Sequence, residues 1–382
     1  MRKICVVVGS RANYSSIKSA MRAIAEHPGL ELQLVVGASA LLDRYGTSVD
    51  VIERDGFTPD ERVFMLIEGE TPSTMAKSTG LGLLELPTAF ERLEPDIVVT
   101  VGDRFETMAT ALAASYMNIV LAHTMGGEVS GTIDESIRHA VTKFAQIHFP
   151  ACSDAAARIV RLGEPPDTVF NVGCPRIDLV AEVLEQQSDG LEDLFARGVG
   201  GELDLDEPFA IVSQHPVTTE YHDGERQITE TLMALREARL PAIVLWPNAD
   251  AGSEEVARGI RKLRERRLDD GMHFFKNLPT ETYIHLMARA ACIVGNSSSA
   301  IREGAFIGTP AVNVGTRQTG RQRAANVVDA PYDREAIGDA LAAQVAHGRY
   351  AAEPIYGDGR AGERIADVLS RVEVSVQKRI TY

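Results

Sequence analysis

The segment with the clearest chemistry runs from residue 295 to residue 303 and reads GNSSSAIRE. It follows the apolar run 292–294, which indicates a strand, then a turn of small hydrogen-bonding residues, then the start of a helix. Backbone N–H groups at a helix N-terminus favour anions such as phosphate. Glu303 follows Ser297 by six residues and could hold a ribose hydroxyl. The segment therefore predicts a nucleotide site, although an ordinary serine-rich turn has the same composition.

Polar residues also follow other apolar runs, at the points where strands would end. Ligands of parallel α/β sheets bind at the carboxyl ends of the strands, so these positions are candidates for ligand contact. In the first half of the chain they are Arg11, Asp103, His123, Met125, Gly126 and Glu128. Structural explanations stay open for this set: Asp103 would pair with Arg104, and a lone histidine is often structural.

Charged residues cluster at the start of a predicted helix that covers residues 136–145. Thr132 and Glu135 fit a capping box, which would begin that helix. Asp134 and Arg138 are four residues apart and share one helix face. Capping and the helix dipole explain only one acidic residue. We therefore predict acid–base chemistry here, with Asp134, Glu135 and Arg138 as candidate catalytic residues.

The second half of the chain shows the same pattern after the apolar run 209–212. His215 follows that run and could bind phosphate or transfer a proton. Two arginines in the turn at 315–321 suit phosphate oxygens or base edges. The candidate nucleotide-binding residues of this half are Asn296, Ser297, Ser298, Glu303, Arg317 and Arg321.

Length and composition predict a soluble protein of two domains. The chain has 382 residues, 45% of them hydrophobic, and no apolar run reaches the roughly 18–20 residues of a membrane helix. The formal net charge of −15 argues against nucleic acid as a partner and leaves a small phosphorylated ligand open. Four scattered cysteines form no C-x-x-C pair, so we expect reduced thiols, a cytoplasmic location and no metal cluster.

Apolar runs alternate with helical patterns, as in parallel sheets covered by helices on both faces. The predicted strands of the first half are residues 4–8, 32–36, 97–101, 119–122, 147–149 and 169–172. The alternation breaks at 175–207, which we interpret as irregular, and then restarts. We predict an α/β protein with two Rossmann-like domains facing a cleft. The first would comprise residues 1–178 and the C-terminal helix segment 362–382, with a helical pattern over 362–378 that crosses back, and would carry the catalytic carboxylates. The second, residues 179–361, would bind the nucleotide.

Several common site motifs do not occur in the sequence. There is no H-E-x-x-H, Walker A or G-x-S-x-G motif, so metal-dependent hydrolysis, P-loop chemistry and serine hydrolysis are disfavoured. A phosphate site in one half and a carboxylate cluster in the other remain. That combination suits proton abstraction and departure of a leaving group from a sugar nucleotide.

Six spaced segments together resemble the hydrolysing UDP-N-acetylglucosamine 2-epimerases of sialic-acid and legionaminic-acid pathways. They are residues 123–139 (HTMGGEVSGTIDESIRH), 214–219 (QHPVTT), 247–253 (PNADAGS), 295–298 (GNSS), 315–318 (GTRQ) and 355–359 (IYGDG). The resemblance covers nearly the whole chain in order. It implies a glycosyltransferase-B-like fold, no metal or nicotinamide cofactor, a UDP-amino-sugar substrate with UDP as product, and a homodimer or homotetramer.

The resemblance also implies a reaction. UDP is eliminated across C1 and C2 of the sugar, a 2-acetamidoglucal forms, and water adds so that C2 is inverted. The matching residues are Asp103 and Asp134 for the catalytic carboxylates, His215 for a histidine near the phosphates, Ser297, Ser298 and Glu303 for the nucleotide site, and Arg11 for the first phosphate loop. A weaker match places Arg258 and Arg261 at arginines that bind CMP-sialic acid in the animal enzyme, but a solvated helix face is the favoured explanation for both.

One position departs from the family pattern. Relatives with the motif His-Ile-Glu-Gly-Gly-Glu carry a catalytic glutamate where this chain has Met125. A thioether cannot act as a base near neutral pH, so Glu128, Glu135 or His123 would replace it, or the sugar is placed differently. Methionine offers flexible apolar surface, which suits a less polar sugar such as a 2,4-diacetamido-2,4,6-trideoxy sugar.

Three other functions stay open at this point. A glycosyltransferase of the same architecture would need an acceptor and would leave the two aspartates without an elimination role. A non-catalytic sensor of nucleotide sugars would explain Met125. A non-hydrolysing epimerase would return UDP-N-acetylmannosamine instead of free sugar.

Overall fold

The chain is organised in two units, each built on its own sheet. A computed structural model describes residues 1–43, 46–69, 71–130, 133–186, 191–247, 252–373 and 375–381. The first unit comprises Met1–Val129, Ile133–Leu179 and Tyr356–Tyr382, and the second is formed mainly by Val180–Ile355.

The first unit is a parallel sheet with helices between its strands. Its strands are β1 (Arg2–Val8), β2 (Leu30–Gly37), β3 (Glu61–Val63), β4 (Ile97–Val101), β5 (Val120–Thr124) and β6 (Ile147–Phe149). The helices up to residue 185 are α1 (Arg11–Ser15), α2 (Lys18–Glu26), α3 (Ser48–Arg54), α4 (Pro72–Leu93), α5 (Phe105–Tyr116), α6 (Ile133–Phe144), α7 (Ser153–Arg161) and α8 (Pro175–Glu185). β4 reads IVVTV and is buried along its whole length, as expected for a β-branched strand covered on both faces.

The order of these strands creates a switch point. The strand order of the sheet is β3-β2-β1-β4-β5-β6. Strands β2 and β3 therefore lie on one side of β1, and β4, β5 and β6 lie on the other side. The turns after β1 and β4 therefore leave the sheet in opposite directions, and a crevice opens between them. The described strands of this sheet are all parallel.

The second unit repeats this arrangement. Its strands are β7 (Val199–Gly200), β8 (Ala210–Ser213), β9 (Ala242–Leu245), β10 (Met272–Phe275), β11 (Cys292–Gly295), β12 (Ala311–Val314) and β13 (Val327–Ala330). Its helices are α9 (Gly224–Glu237), α10 (Ser253–Glu265), α11 (Thr280–Arg289), α12 (Arg302–Ile307) and α13 (Arg334–His347). The order β13-β12-β11-β8-β9-β10-β7 puts the switch point between β8 and β11, and the short edge strand β7 is antiparallel.

The C-terminal part of the chain returns to the first unit, as predicted. Helix α14 (Ala361–Arg371) packs against α2. The predicted helix to residue 378 is too long, because Val372 adopts an extended backbone and ends it. Within the described ranges, no helix combines the length and the apolar character needed to cross a membrane.

Two predictions about the middle of the chain are wrong. Residues 175–185 form α8 instead of an irregular stretch, because Pro175 occupies the first position of the helix, where its missing N–H costs nothing. Residues 169–172 form no strand: Val169 makes a single bridge to His148 after a short 3-10 turn at Pro166–Thr168. Strand β13 at the sheet edge was not predicted, since its four residues VVDA are a short apolar run interrupted by Asp329.

Asp178 ties α8 to the returning helix, which gives a stability prediction. This buried carboxylate accepts hydrogen bonds from Ser19 Oγ (2.8 Å) and from the backbone N–H groups of Ala361 (2.9 Å) and Gly362 (2.7 Å). Asp178→Ala leaves those donors unpaired inside the unit, so we expect the free energy of unfolding in urea to fall by about 3 kcal/mol. Asp367→Ala, which removes an exposed ion pair on the same α14, should change it by less than about 0.5 kcal/mol. Equal effects of the two variants would contradict this role of Asp178.

Candidate active site

The turn after β1 is held against the end of β4 by one side chain. Asn13 Oδ1 accepts the N–H of Gly9 at 3.2 Å, and Asn13 Nδ2 donates to the carbonyl of Val101 at 3.1 Å. Ser10 caps α1 through its side chain. Arg11 therefore begins α1 at the switch point of the first sheet, with its backbone fixed relative to β4.

The turn after β4 contains an ion pair with a buried acid. Arg104 Nε donates to Glu106 Oε1 at 2.9 Å. Glu106 is buried and packs directly on Gly9, where an added Cβ would lie 2.4 Å from Glu106 Cγ. Only glycine fits there, so Glu106 acts as a spacer between the turns after β1 and β4.

Asp103 is bound by an arginine from α6. Arg138, whose side chain is 2% exposed, donates through Nη2 to Asp103 Oδ2 and through Nη1 to the carbonyl of Glu128 at 2.9 Å. Asp103 itself keeps 26% of its side chain exposed. A buried guanidinium thus connects three parts of the unit: the turn after β4, the turn after β5, and helix α6, which carries the candidate catalytic residues.

The predicted acidic cluster does lie in the first turn of α6. Asp134 and Glu135 occupy that turn and are partly exposed. Glu135 Oε1 lies 3.7 Å from His139 Nε2, one turn further along the helix. The predicted capping role of Thr132 falls outside the described residues.

His123 is enclosed, so the structure does not present it to a sugar. Its ring has no exposed surface, Nε2 lies 2.7 Å from the carbonyl of Gly102, and Nδ1 lies 3.3 Å from Thr142 Oγ1. A Cβ on Gly126 would sit 2.9 Å from that ring, so the glycine leaves room for it. Burial lowers the pKa of His123 to about 4, and the neutral ring braces the ends of β4 and β5.

Met125 has an unusual backbone and a sulfur neighbour. Its φ of 58° is in the left-handed region, which costs a non-glycine residue energy. Its side chain is 7% exposed, and Sδ lies 3.8 Å from Cys174 Sγ. The position that holds a carboxylate in the motif His-Ile-Glu-Gly-Gly-Glu is therefore lined by two sulfur atoms in this chain.

The switch point of the second sheet is closed by a reciprocal pair of hydrogen bonds. The N–H of His215 donates to Asn296 Oδ1 at 2.7 Å, and Asn296 Nδ2 donates to the carbonyl of His215 at 2.8 Å. Gly295 has a φ of 128°, and a Cβ there would lie 2.4 Å from the carbonyl oxygen of Ser213. The turns after β8 and β11 consequently form one rigid ledge.

The serine turn predicted to bind phosphate follows this ledge. Ser297 Oγ lies 2.9 Å from Ser299 Oγ, which in turn lies 2.7 Å from Tyr283 OH on α11. Ser298 begins a short 3-10 turn and is partly exposed. Glu303 follows in the first turn of α12 and is 4% exposed. Strand, turn and helix therefore succeed one another as predicted.

The turn after β12 also reaches the ledge. Arg317 Nη1 and Gln318 Nε2 both donate to the carbonyl of Asn296, at 3.1 and 2.8 Å. Arg321 lies at the end of the same turn and is 7% exposed. The structure thus brings three predicted residues, His215, Asn296 and Arg317, into contact from three different strand ends.

Other predictions are not assembled into a site. Arg258 is exposed on α10, and Arg261 pairs with Glu254 of the same helix, which fits a solvated face. Residues 248–251 of the resembling segment 247–253 lie outside the described residues.

Sequence reasoning missed the residues that hold the turns in place. Asn13, Glu106 and Tyr283 make the contacts described above, yet their neighbours in sequence carried the predicted chemistry. Asn13 and Glu106 stand in the first turn of a helix directly after a strand, which is a usable signal. Tyr283 lies on a helix 16 residues from its serine partner, and spacing gave no indication of that contact.

Comparison with known proteins shows what this chain is similar to. A family model described as UDP-N-acetylglucosamine 2-epimerase matches residues 22–370. The chain is 32% identical over 377 residues to the UDP-N,N'-diacetylbacillosamine 2-epimerase (hydrolyzing) of Legionella pneumophila, covering 99% of this chain and 98% of that protein. It is 30% identical over 385 residues to a UDP-N-acetylglucosamine 2-epimerase of Neisseria meningitidis, covering 99% and 98%.

The fold has a solved counterpart. A crystal structure of UDP-GlcNAc 2-epimerase from Neisseria meningitidis bound to UDP-GlcNAc superposes with a TM-score of 0.80 at 16% identity, covering 96% of this chain and 99% of that one. At that identity the likeness concerns the fold. Together with the two sheets of mostly parallel strands, it confirms the predicted glycosyltransferase-B-like α/β fold.

The enclosed His123 gives a pH prediction. Because its pKa is lower in the folded state than the ordinary value of 6.5, the unfolded chain binds this proton first as the pH falls. The free energy of unfolding should therefore decrease between about pH 6.5 and pH 4, with a contribution from His123 on the order of 3 kcal/mol. Urea unfolding across this range should show a shallower dependence in His123→Gln, which keeps a polar side chain there. An unchanged slope would mean that His123 does not titrate as described.

Proposed function

The chain belongs to the UDP-N-acetylglucosamine 2-epimerase family, and from that premise we propose that it is a hydrolysing 2-epimerase of a UDP-2-acetamido sugar. UDP leaves by anti elimination across C1 and C2, and water adds to the resulting 2-acetamidoglucal with inversion at C2. The observation that supports this best is Asp103, which stands at the switch point of the first sheet and is held by the buried Arg138 of the helix that also carries Asp134.

The proposed chemistry needs one group to take the C2 proton and another to return one. Asp103 and Asp134 are the candidates, since a positioned carboxylate can do both jobs in sequence. Arg138 cannot take a proton near neutral pH, so its role is to orient Asp103. Glu135 and Glu128 remain candidates for the second carboxylate: Glu135 is partly exposed in the same turn, whereas Glu128 is buried.

The nucleotide end of the substrate is assigned to the second unit. The reciprocal pair formed by His215 and Asn296 presets the backbone, so little ordering is needed when a diphosphate binds. Ser297 and Ser298 offer hydroxyls and backbone N–H groups before α12, and Glu303 suits a ribose hydroxyl. Two arginines of the same unit, Arg317 and Arg321, supply positive charge for the phosphates. In the first unit, Arg11 is proposed as the residue of the first phosphate loop, as the family resemblance implies.

The sugar is proposed to be a 2,4-diacetamido-2,4,6-trideoxyglucose. Met125 and Cys174 place two sulfur atoms where relatives have a carboxylate, and such a surface favours a 6-deoxy sugar over one with a 6-hydroxyl. The relative from Legionella pneumophila is named for UDP-N,N'-diacetylbacillosamine, which is that same sugar. Plain UDP-N-acetylglucosamine is the alternative, for which the Neisseria relative is named.

The proposed product is a free sugar of the N-acetylmannosamine type, for biosynthesis of a sialic or legionaminic acid. We propose that the reaction takes place in the cytoplasm without a cofactor, and that the enzyme works as a homodimer or homotetramer.

The role of Asp134 can be tested by an isosteric change. Asp134→Asn removes a proton-transfer group without altering its size, so kcat for UDP release should fall about 10³-fold, while UDP binding by calorimetry should stay within about twofold. Asp367→Asn, an exposed aspartate of α14, should leave both quantities unchanged. If Asp134→Asn released UDP at the wild-type rate, Asp134 would have no part in the chemistry.

The substrate assignment predicts a preference. We expect kcat/KM for UDP release to be at least about tenfold higher with UDP-2,4-diacetamido-2,4,6-trideoxyglucose than with UDP-N-acetylglucosamine, since one buried apolar contact discriminates by that order. Equal or faster turnover of UDP-N-acetylglucosamine would show that Met125 does not select the 6-deoxy sugar.

A further inference from the structure

The last part of the chain docks on the first unit through Lys378. Its Nζ donates to the carbonyls of Thr142 (3.3 Å), Lys143 (3.0 Å) and Ala145, at the C-terminal end of α6. Four C-terminal carbonyls of any helix lack a partner within it, and a cation there also complements the helix dipole. Lys378 thus acts as the C-terminal cap of α6, supplied from more than 230 residues away in sequence.

The same ammonium group is anchored by a buried acid. Glu164, whose side chain is 1% exposed, lies 2.5 Å from Lys378 Nζ through Oε2. Lys143 of α6 pairs with the other oxygen of Glu164, and His148 of β6 lies 3.2 Å from Oε2. Burial lowers the pKa of His148, whereas hydrogen bonds from His148 and the two lysines hold the pKa of Glu164 at about 2 despite its burial. Glu164 is therefore the anionic centre of a buried group that includes both α6 and the C-terminal segment.

Two further contacts align this segment, residues 375–381. Gln146 Nε2, just beyond α6, donates to the carbonyl of Val376 at 3.1 Å. Thr381 donates to the carbonyl of Gly163 through its backbone N–H (3.0 Å) and its hydroxyl (3.1 Å). The segment is thus fixed on both sides of Lys378, and its backbone has partners where it crosses the unit.

We infer that Lys378 is a positioning residue for the reaction. It fixes one end of α6, whereas the other end of that helix carries Asp134 and the middle carries the Arg138 that orients Asp103. A helix of 12 residues transmits a tilt or a shift from one end to the other, so losing the cap displaces the acidic turn. This inference rests on the proposed function, because it assigns part of kcat to the placement of α6.

The test compares Lys378→Met with the loss of another lysine of the same unit, Lys3 of β1, which also contacts the C-terminal end of a helix. We expect Lys378→Met to lower kcat for UDP release by about 10- to 100-fold, since small displacements of reacting groups cost that much, with UDP affinity within about twofold. Lys378→Arg restores a cation at the same carbonyls and should recover part of kcat. In the control Lys3→Met, which removes a contact to the last carbonyl of α4 at Leu93, kcat should not change.

Hydrogen exchange supplies a readout that does not need a substrate. Amides in the first turns of α6 should exchange faster in Lys378→Met than in wild type. In Lys3→Met the same amides should exchange at the wild-type rate. If Lys378→Met does not fold, Thr381→Val removes only one contact of the segment and should give the same changes at smaller size.

The outcomes separate the two proposals. If α6 exchanges faster in Lys378→Met but the wild-type protein turns over no UDP-sugar, the capping role of Lys378 is supported and the proposed function is wrong. Normal turnover by wild type, together with unchanged α6 exchange and unchanged kcat in Lys378→Met, would overturn the positioning role. The positioning role would also be overturned if the activity of Lys378→Met fell only in proportion to the fraction of unfolded protein.

Discussion

The order of the strands is the constraint on which the candidate sites depend. In both sheets the direction in which successive strands are added to the sheet reverses once. This reversal lies between β1 and β4 in the first sheet and between β8 and β11 in the second. Ligands of open α/β sheets bind at such places. Arg11 and Asp103 lie in the turns beside the first reversal, and His215 and Asn296 lie beside the second, while other predicted residues follow the neighbouring strands β5 and β12 or lie on α6 and α12.

Each reversal is bridged by an amide side chain. Asn13 joins the turn after β1 to the end of β4, and Asn296 joins the turn after β11 to the backbone of His215 after β8. An amide carries both a donor and an acceptor, so a single side chain can satisfy the backbone of two turns. The binding surface is therefore preset before a ligand arrives, which reduces the entropy lost on binding.

Much of the fold could be predicted because, in most elements, the spacing of the apolar residues and the residues that begin and end the element indicate the same structure. The buried strand β4 and the amphipathic helices are examples, and the turn at 295–303 was recognised from its composition. The failures have local causes. Pro175 was interpreted as a break although proline suits the first turn of a helix, and β13 is stabilised by pairing with β12 although its own four residues include Asp329. The pairing of β13 with β12 is a tertiary contact, which leaves no periodic pattern in the sequence.

The candidate site could be predicted by residue but not by role. The turn after β4 was located correctly, yet the pairing of Asp103 with Arg138 was not foreseen, because α6 brings that buried guanidinium from a distant part of the sequence. His123 was expected to contact sugar, but burial makes it a brace between strands. Such roles depend on which groups are enclosed, and enclosure follows from packing rather than from spacing.

The central claim is that UDP leaves by elimination and that the sugar is then hydrated with inversion at C2. Proton NMR of the wild-type enzyme with UDP-2,4-diacetamido-2,4,6-trideoxyglucose in deuterated water tests it directly. The account predicts UDP and a free manno-configured sugar with deuterium at C2. A sugar still attached to UDP with inverted C2 would contradict the hydrolytic step, and a free gluco-configured sugar without deuterium would contradict elimination.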